Sequence, residues 1–177
     1  MGSRKLLWHL YPSFLIITFL TIIAVTLFAS HSFKVFFHNQ VANDLQEKGH
    51  LLEIYLQPLI TEGNISEVDD FCNLVGKKGL TRVTVILPSG EVIGDSDEDP
   101  ASMKNHINRP EIQQAIRKGT GKAIRFSKTI GKNMMYVAIA LREDSKLTAV
   151  IRTAMPLTAI EQQLTDIYGK VLLSGLV

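Results

Sequence analysis

Twenty-five consecutive residues, Leu6 to Ser30, carry no formal charge, and the centre of that run reads FLIITFLTIIAVTLFA from Phe14 to Ala29. A bilayer core takes roughly 20 apolar residues in a helix. Residues 6–30 are therefore expected to form a membrane helix, and the rest of the chain to be a domain tethered to it. Arg4 and Lys5 precede the run, and Trp8 and Tyr11 sit where an interfacial aromatic belt lies. Basic residues flanking a first span are usually retained in the cytoplasm. Residues 1–5 should then be cytoplasmic and everything after Ser30 extracytoplasmic. A cleaved signal peptide is the competing reading. The apolar run exceeds the usual hydrophobic stretch inside such a leader, and the best small-x-small pair, Ser30-His31-Ser32, is a weak cleavage site.

The far end reads KVLLSGLV from Lys170. It is expected to be the start of a second membrane helix, cut short, at 170–177. An ordinary hydrophobic C-terminal helix is the alternative. On the first reading the chain is a fragment of a larger receptor.

Residues 31–169, roughly 140 in number, suffice for one domain with its own core. A net charge of +2 is too balanced to argue for nucleic acid or a polybasic membrane surface. Cys72 is the single cysteine, so no intramolecular disulfide forms. It is expected to be a small buried residue on a helix.

From 32 to 60 the apolar residues Phe33, Phe37, Val41, Leu45, Leu52, Tyr55 and Leu59 recur at helical steps. The spacing predicts a long helix that continues the membrane segment, with one edge on the domain core and another available to a partner subunit. Ser66 with Asp69 three residues on reads as a capping box for a short helix over 66–78, closed by Gly79. Alternation and β-branched residues predict strands at 82–87 and 91–95 around the turn Pro88-Ser89-Gly90. A polar loop follows over 96–109. Pro110 opens a helix to Lys118, and strands are expected at 122–129, 134–141 and 147–153. Helical spacing returns over 157–168. The sum is an α+β domain, a five-stranded and mainly antiparallel sheet flanked by helices over 81–155.

Two blocks carry a resemblance. Residues 93–111 read IGDSDEDPASMKNHINRPE and residues 121–138 read GKAIRFSKTIGKNMMYVA. They resemble the extracytoplasmic sensor region of PhoR-like, phosphate-regulon-type sensor histidine kinases. The matching letters are Asp95, Ser96, Asp99, Pro100, Met103, Asn105, His106, Arg109, Pro110 and Glu111, then Arg125, Ser127, Thr129, Met135, Tyr136, Val137 and Ala138. The resemblance implies a PAS-like fold between two membrane helices in a bacterial plasma membrane, and a homodimer. It also implies a cytoplasmic kinase that would use ATP and Mg and address a response regulator. None of His9, His31, His38, His50 and His106 lies in a histidine box, and there is no nucleophile–base constellation. This chain is expected to be non-enzymatic and to carry no cofactor.

The expected function is the membrane-anchored sensory portion of a two-component histidine kinase. The alternatives are the sensor of a chemotaxis receptor or nucleotide cyclase, or a non-signalling anchored binding protein. Asp95, Asp97 and Asp99, with Glu98 among them, can offer oxygen ligands to a divalent cation, or simply be solvated turn formers. Pro100 stands where an EF-hand needs glycine. Asn105, His106 and Arg109 can donate to an anionic ligand or pin their loop to the sheet. Arg125 shares a strand face with Ser127 and Thr129. It can extend such an anion surface or make a buried pair with a carboxylate. Gly119-Thr120-Gly121 is read as a turn.

Overall fold

A computed structural model of the chain describes residues 3–79, 81–127 and 130–157. The helix expected over 157–168 lies outside these residues but for Leu157, which is buried. The second span expected over 170–177 lies outside them entirely.

The first helix, α1, is Ser3–Thr61. Among the described residues it is the one helix long and apolar enough, by length and composition, to cross a membrane. The chain divides into two compact units, Met1–Asn39 and Gln40–Val177. In the first, Phe14, Ile17, Phe19, Leu20 and Phe28 are all exposed, as a lipid-facing helix requires.

In the second unit, α1 buries Val41, Ala42, Leu45 and Leu56. Tyr55 departs from the expected core stripe. It is 65% exposed, and its ring stacks at 5.8 Å on Phe71 of the next helix. That helix, α2, is Ile65–Lys78 and starts at Asn64, not at the expected capping box. Ser66 falls inside the first turn. The Asp69 carboxylate instead accepts the backbone N–H of Asp95 at 3.0 Å, so a residue that reads as a local cap fastens α2 to the sheet.

The strands are β1 Arg82–Ile86, β2 Val92–Asp95, β3 Thr120–Ser127, β4 Lys132–Glu143 and β5 Lys146–Pro156. They form one sheet in the order β2-β1-β5-β4-β3, with every neighbouring pair antiparallel. Two faces result. Val83, Val85, Leu141, Ala149 and Ile151 meet Leu56 of α1 and Val68 and Cys72 of α2. On the other face the helix α3, Pro110–Lys118, sets Ile112 and Ala115 against Ile86, Ala138 and Val150.

A bulge in β2 fixes where Asp95 lies. Ile86 pairs with Val92 but Val85 pairs with Gly94, which leaves Ile93 as the extra residue. Ile93 joins the α1/α2 core and Val92 the α3 core. The extra residue brings Asp95 opposite Thr84. Bulges re-aim side chains in this way.

Candidate functional site

The site grows out of charged residues at positions where strand alternation leaves no exit to water. In β1 all five residues are buried, so Arg82 and Thr84 lie inside with the valines. In β5 the run AVIRTAM places Arg152 between Ile151 and Thr153, and it is 2% exposed. Arg125 comes from β3 and Tyr136 from β4. Pairing aligns Thr84 with Arg152, and Tyr136 with both Ala123 and Ala154.

Helix α3 supplies the central carboxylate. Arg109 precedes the helix in extended backbone, Pro110 takes the first turn, and Glu111 follows. An acidic residue suits a helix N-terminus. Gly121 of β3 lies so close beneath α3 that a Cβ there would run into the Glu111 carbonyl oxygen and Ala115, and this proximity drives Glu111 onto the sheet. Glu111 is fully buried. Its Oε1 accepts from Arg125 Nη2 at 2.9 Å and lies 3.7 Å from Arg152 Nη1.

Arg152 also donates from Nη2 to Thr84 Oγ1 at 2.9 Å, and Thr84 donates in turn to Asp95 Oδ2 at 2.6 Å. Asp95 accepts from Arg82 Nε at 3.0 Å and pairs with its Nη2 at 2.9 Å. One connected network thus runs from α3 through β5 and β1 to β2. The Arg125 guanidinium sits 3.9 Å from the Tyr136 ring centre and that of Arg152 5.1 Å, a further hold on two cations. One polar atom stays outside the network. Arg152 Nε is buried and has no hydrogen-bond partner among the described residues.

These side chains wall a cavity of about 450 Å³, open between the sheet and the 96–109 loop, whose lining includes Arg82, Lys104, Arg109, Arg125 and Arg152 with one carboxylate, Glu98. Burial pulls Arg152 down to about 10, with Glu111 opposing, so it stays charged at neutral pH. For Arg82, burial lowers the pKa, but Asp95, Asp97 and Glu98 outweigh it and the net shift is upward. His106 lies at the cavity wall, with Nδ1 2.6 Å from the Lys104 carbonyl. Burial, Arg152, Arg109 and Arg125 push it down to about 4, so its imidazole is neutral at pH 7.

The residues singled out from sequence divide. His106, Arg109 and Arg125 line this cavity. Asn105 does not. It is exposed, donates to the Ser89 carbonyl at 2.8 Å and accepts from the Ile107 N–H at 2.9 Å, and so pins the loop to the β1–β2 turn. Gly90, in the left-handed region at φ 87°, completes that contact, since a Cβ there would strike Asn105 Oδ1. Of the three aspartates, Asp95 is buried on Arg82. Asp97 lies 3.9 Å from Arg82, and Asp99 caps the turn Pro100–Ser102 by accepting from Ala101 N–H. Among the described residues no group of three or more His, Cys, Asp or Glu side chains is arranged to hold a metal ion.

Arg82 and Arg152 do not stand out in the sequence as site residues, and Glu111 and Tyr136 figure there only as motif letters. The available signal is a lone arginine inside an otherwise apolar strand.

Neither a known protein family nor a curated protein matches the chain. Solved structures do. The sensor domain of the V. cholerae histidine kinase DctB aligns at 20% identity and TM-score 0.55, over 68% of this chain and 49% of that one. The ligand-binding domain of Mlp24 with asparagine aligns at 17% and 0.54, over 70% and 54%. That of the Campylobacter jejuni chemoreceptor Tlp3, in complex with 4-methylisoleucine, aligns at 16% and 0.54, over 72% and 54%. At these identities the likeness shows the fold, a PAS-like architecture found in sensor domains of histidine kinases and chemoreceptors. Nothing in it singles out the phosphate-regulon type. The chain spans about half the length of these three structures.

Proposed function

We propose that this chain is the membrane-anchored sensory portion of a PhoR-like two-component sensor histidine kinase, with its PAS-like domain outside the bacterial plasma membrane and its N-terminus inside. One observation carries the reading. Helix α1, Ser3–Thr61, contains both the membrane-length apolar segment and the residues that pack on the sheet. A signal at the domain biases α1 between two arrangements, and it does so only by binding the two unequally. The working form is a homodimer in which a small helix shift reaches the kinase.

The test is the full chain joined to a histidine kinase output. Leu51 and Ile54 are 63% and 67% exposed on α1, so L51E and I54E should leave the fold intact. Each is expected to change basal autophosphorylation at least threefold, about 0.7 kcal/mol in a two-state balance. Unchanged activity in both variants would remove the relay. Protease protection in membrane vesicles checks the topology independently.

A second reading has an observation of its own. The chemoreceptor domain is as alike in fold as the kinase sensor domain, so the same module can drive a chemotaxis output. In that case methylation of a fused chemoreceptor output, and not autophosphorylation, follows the stimulus.

A further inference from the structure

Of the clusters and cavities in the domain, the arginine-lined one holds an imbalance that the fold itself leaves in place. Five cations, Arg82, Lys104, Arg109, Arg125 and Arg152, line it. Four carboxylates answer them, and unevenly. Asp95, Asp97 and Glu98 all gather on Arg82. Glu111 alone is divided between Arg125 and Arg152. Lys104 and Arg109 make no ion pair among the described residues. Beyond Arg82 and the three carboxylates gathered on it, four cations remain with one carboxylate as their ion-pair partner among the described residues.

The unpartnered donor belongs to one of these four, Arg152. A buried N–H without an acceptor costs the full desolvation of the group, and here it belongs to a charged guanidinium, for which the cost is larger. The fold keeps Arg152 Nε so although Thr84 and Glu111 hold the other end of the same guanidinium. Guanidinium forks match the planar geometry of a carboxylate.

The remaining lining sets the rest of the ligand. Met103, Phe126 and Tyr136 give apolar surface, which suits a carbon skeleton better than a bare inorganic oxyanion. Among the described residues Glu98 is the single lining carboxylate, poor provision for an α-ammonium group. The volume of about 450 Å³ lies in the usual range of small-molecule sites.

We infer that this cavity is the sensory ligand site and takes a small organic acid of net negative charge, its carboxylate drawn to the Arg152 and Arg125 guanidiniums with Arg109 and Lys104 at the rim. The role of that ligand as a signal rests on the proposed sensory function. Its binding does not.

Calorimetric titration of the full chain in detergent micelles at pH 7 tests the assignment. The probes are mono- and dicarboxylates from acetate to adipate, inorganic phosphate, and asparagine as a neutral amino acid. At least one carboxylate is expected to bind, and asparagine not. Arg109→Gln, at the half-buried rim, is expected to weaken that binding on the order of tenfold, as loss of one charge-assisted hydrogen bond does. Its urea midpoint should stay at the wild-type value. Lys104→Gln, at an exposed position, serves as a second variant with a smaller loss.

Phosphate binding tighter than every carboxylate overturns the ligand class. Asparagine binding as tightly overturns the requirement for net charge. Carboxylate binding indifferent to both variants overturns the location, and no binding by any probe overturns the whole assignment. A carboxylate that binds without altering the kinase fusion removes the sensory reading and leaves the site. A fusion that answers another stimulus while no carboxylate binds does the reverse.

Discussion

The two faces of the sheet are built from the same strands and solve burial in opposite ways. Along β1, Val83 and Val85 point into a cluster of apolar side chains with Leu56, Val68, Cys72 and Ile151. The interleaved Arg82 and Thr84 point the other way, into a network with Asp95, Arg152 and Glu111. All these side chains are buried. Burying apolar area stabilises by about 25 cal/mol per Å². Burying ions costs several kcal/mol each, which pairing only roughly repays. The α1/α2 face thus supplies stability. The charged part of the α3 face contributes little net stability, and its arrangement makes sense as a preorganised field for something brought in from outside.

That contrast has a sharp consequence at Glu111. Glu111→Ala strips the shared carboxylate from Arg125 and Arg152 and leaves buried cations uncompensated, a loss expected at about 3–5 kcal/mol. Urea denaturation of the full chain in micelles measures it. A saturating small carboxylate should restore part of the lost stability, because it offers the same oxygens. An effect below about 1 kcal/mol would mean that water already reaches these arginines, and the distinction between the faces would blur.

The apolar face gives the next effect. Leu56 is fully buried between α1, α2 and the sheet. Leu56→Ala is expected to cost about 3 kcal/mol through lost transfer energy and the cavity left behind. No carboxylate should restore any of it. A ligand that rescued Leu56→Ala as well as Glu111→Ala would be acting on the whole domain, not on one face.

The sequence announces the apolar face far better than the charged one, and the reason is physical. Periodicity reports which residues avoid water, so the alternation of Val83 and Val85 and the spacing of Val41 and Leu45 point to their elements. It cannot report that Arg82 and Arg152 are also buried, because their burial depends on partners distant in sequence. Arg152 meets Thr84 across 68 positions, and Arg125 meets Glu111 across 14. The bulge at Ile93 is equally hidden, since one extra residue leaves no trace in composition. Local chemistry also misleads at one place. Ser66 and Asp69 have capping-box spacing, but Asp69 gains more by accepting from Asp95 N–H and tying α2 to β2. Loop residues 105, 106 and 109 share one stretch of sequence, yet only the tertiary fold separates the pin, Asn105, from the two that face the cavity.

The smallest expected effect belongs to His106, which reports the field of the charged face directly. Its pKa falls from the ordinary 6.5 to about 4 because it is buried and faces Arg152 of β5, Arg109 of the loop and Arg125 of β3. The hydrogen bond to the Lys104 carbonyl opposes that shift. The folded domain therefore keeps the imidazole neutral at pH values where the unfolded chain protonates it. The stabilisation linked to this shift is fully present above pH 6.5 and is lost as pH falls toward 4. Between pH 7 and pH 5 the loss is expected at about 1–2 kcal/mol, seen as a lower urea midpoint. His106→Gln should remove most of that slope, while carboxylates that titrate in both proteins cancel in the difference. Leu56 carries no titratable group and packs among apolar side chains, so Leu56→Ala should keep the wild-type slope. Saturating carboxylate should remove only the smaller part of the slope, because an anion beside Arg152 offsets the arginine field but not the burial that is the larger cause of the shift. A slope identical in wild type and His106→Gln would mean that the imidazole feels water more than the arginines, and the charged face would then lack the field assigned to it.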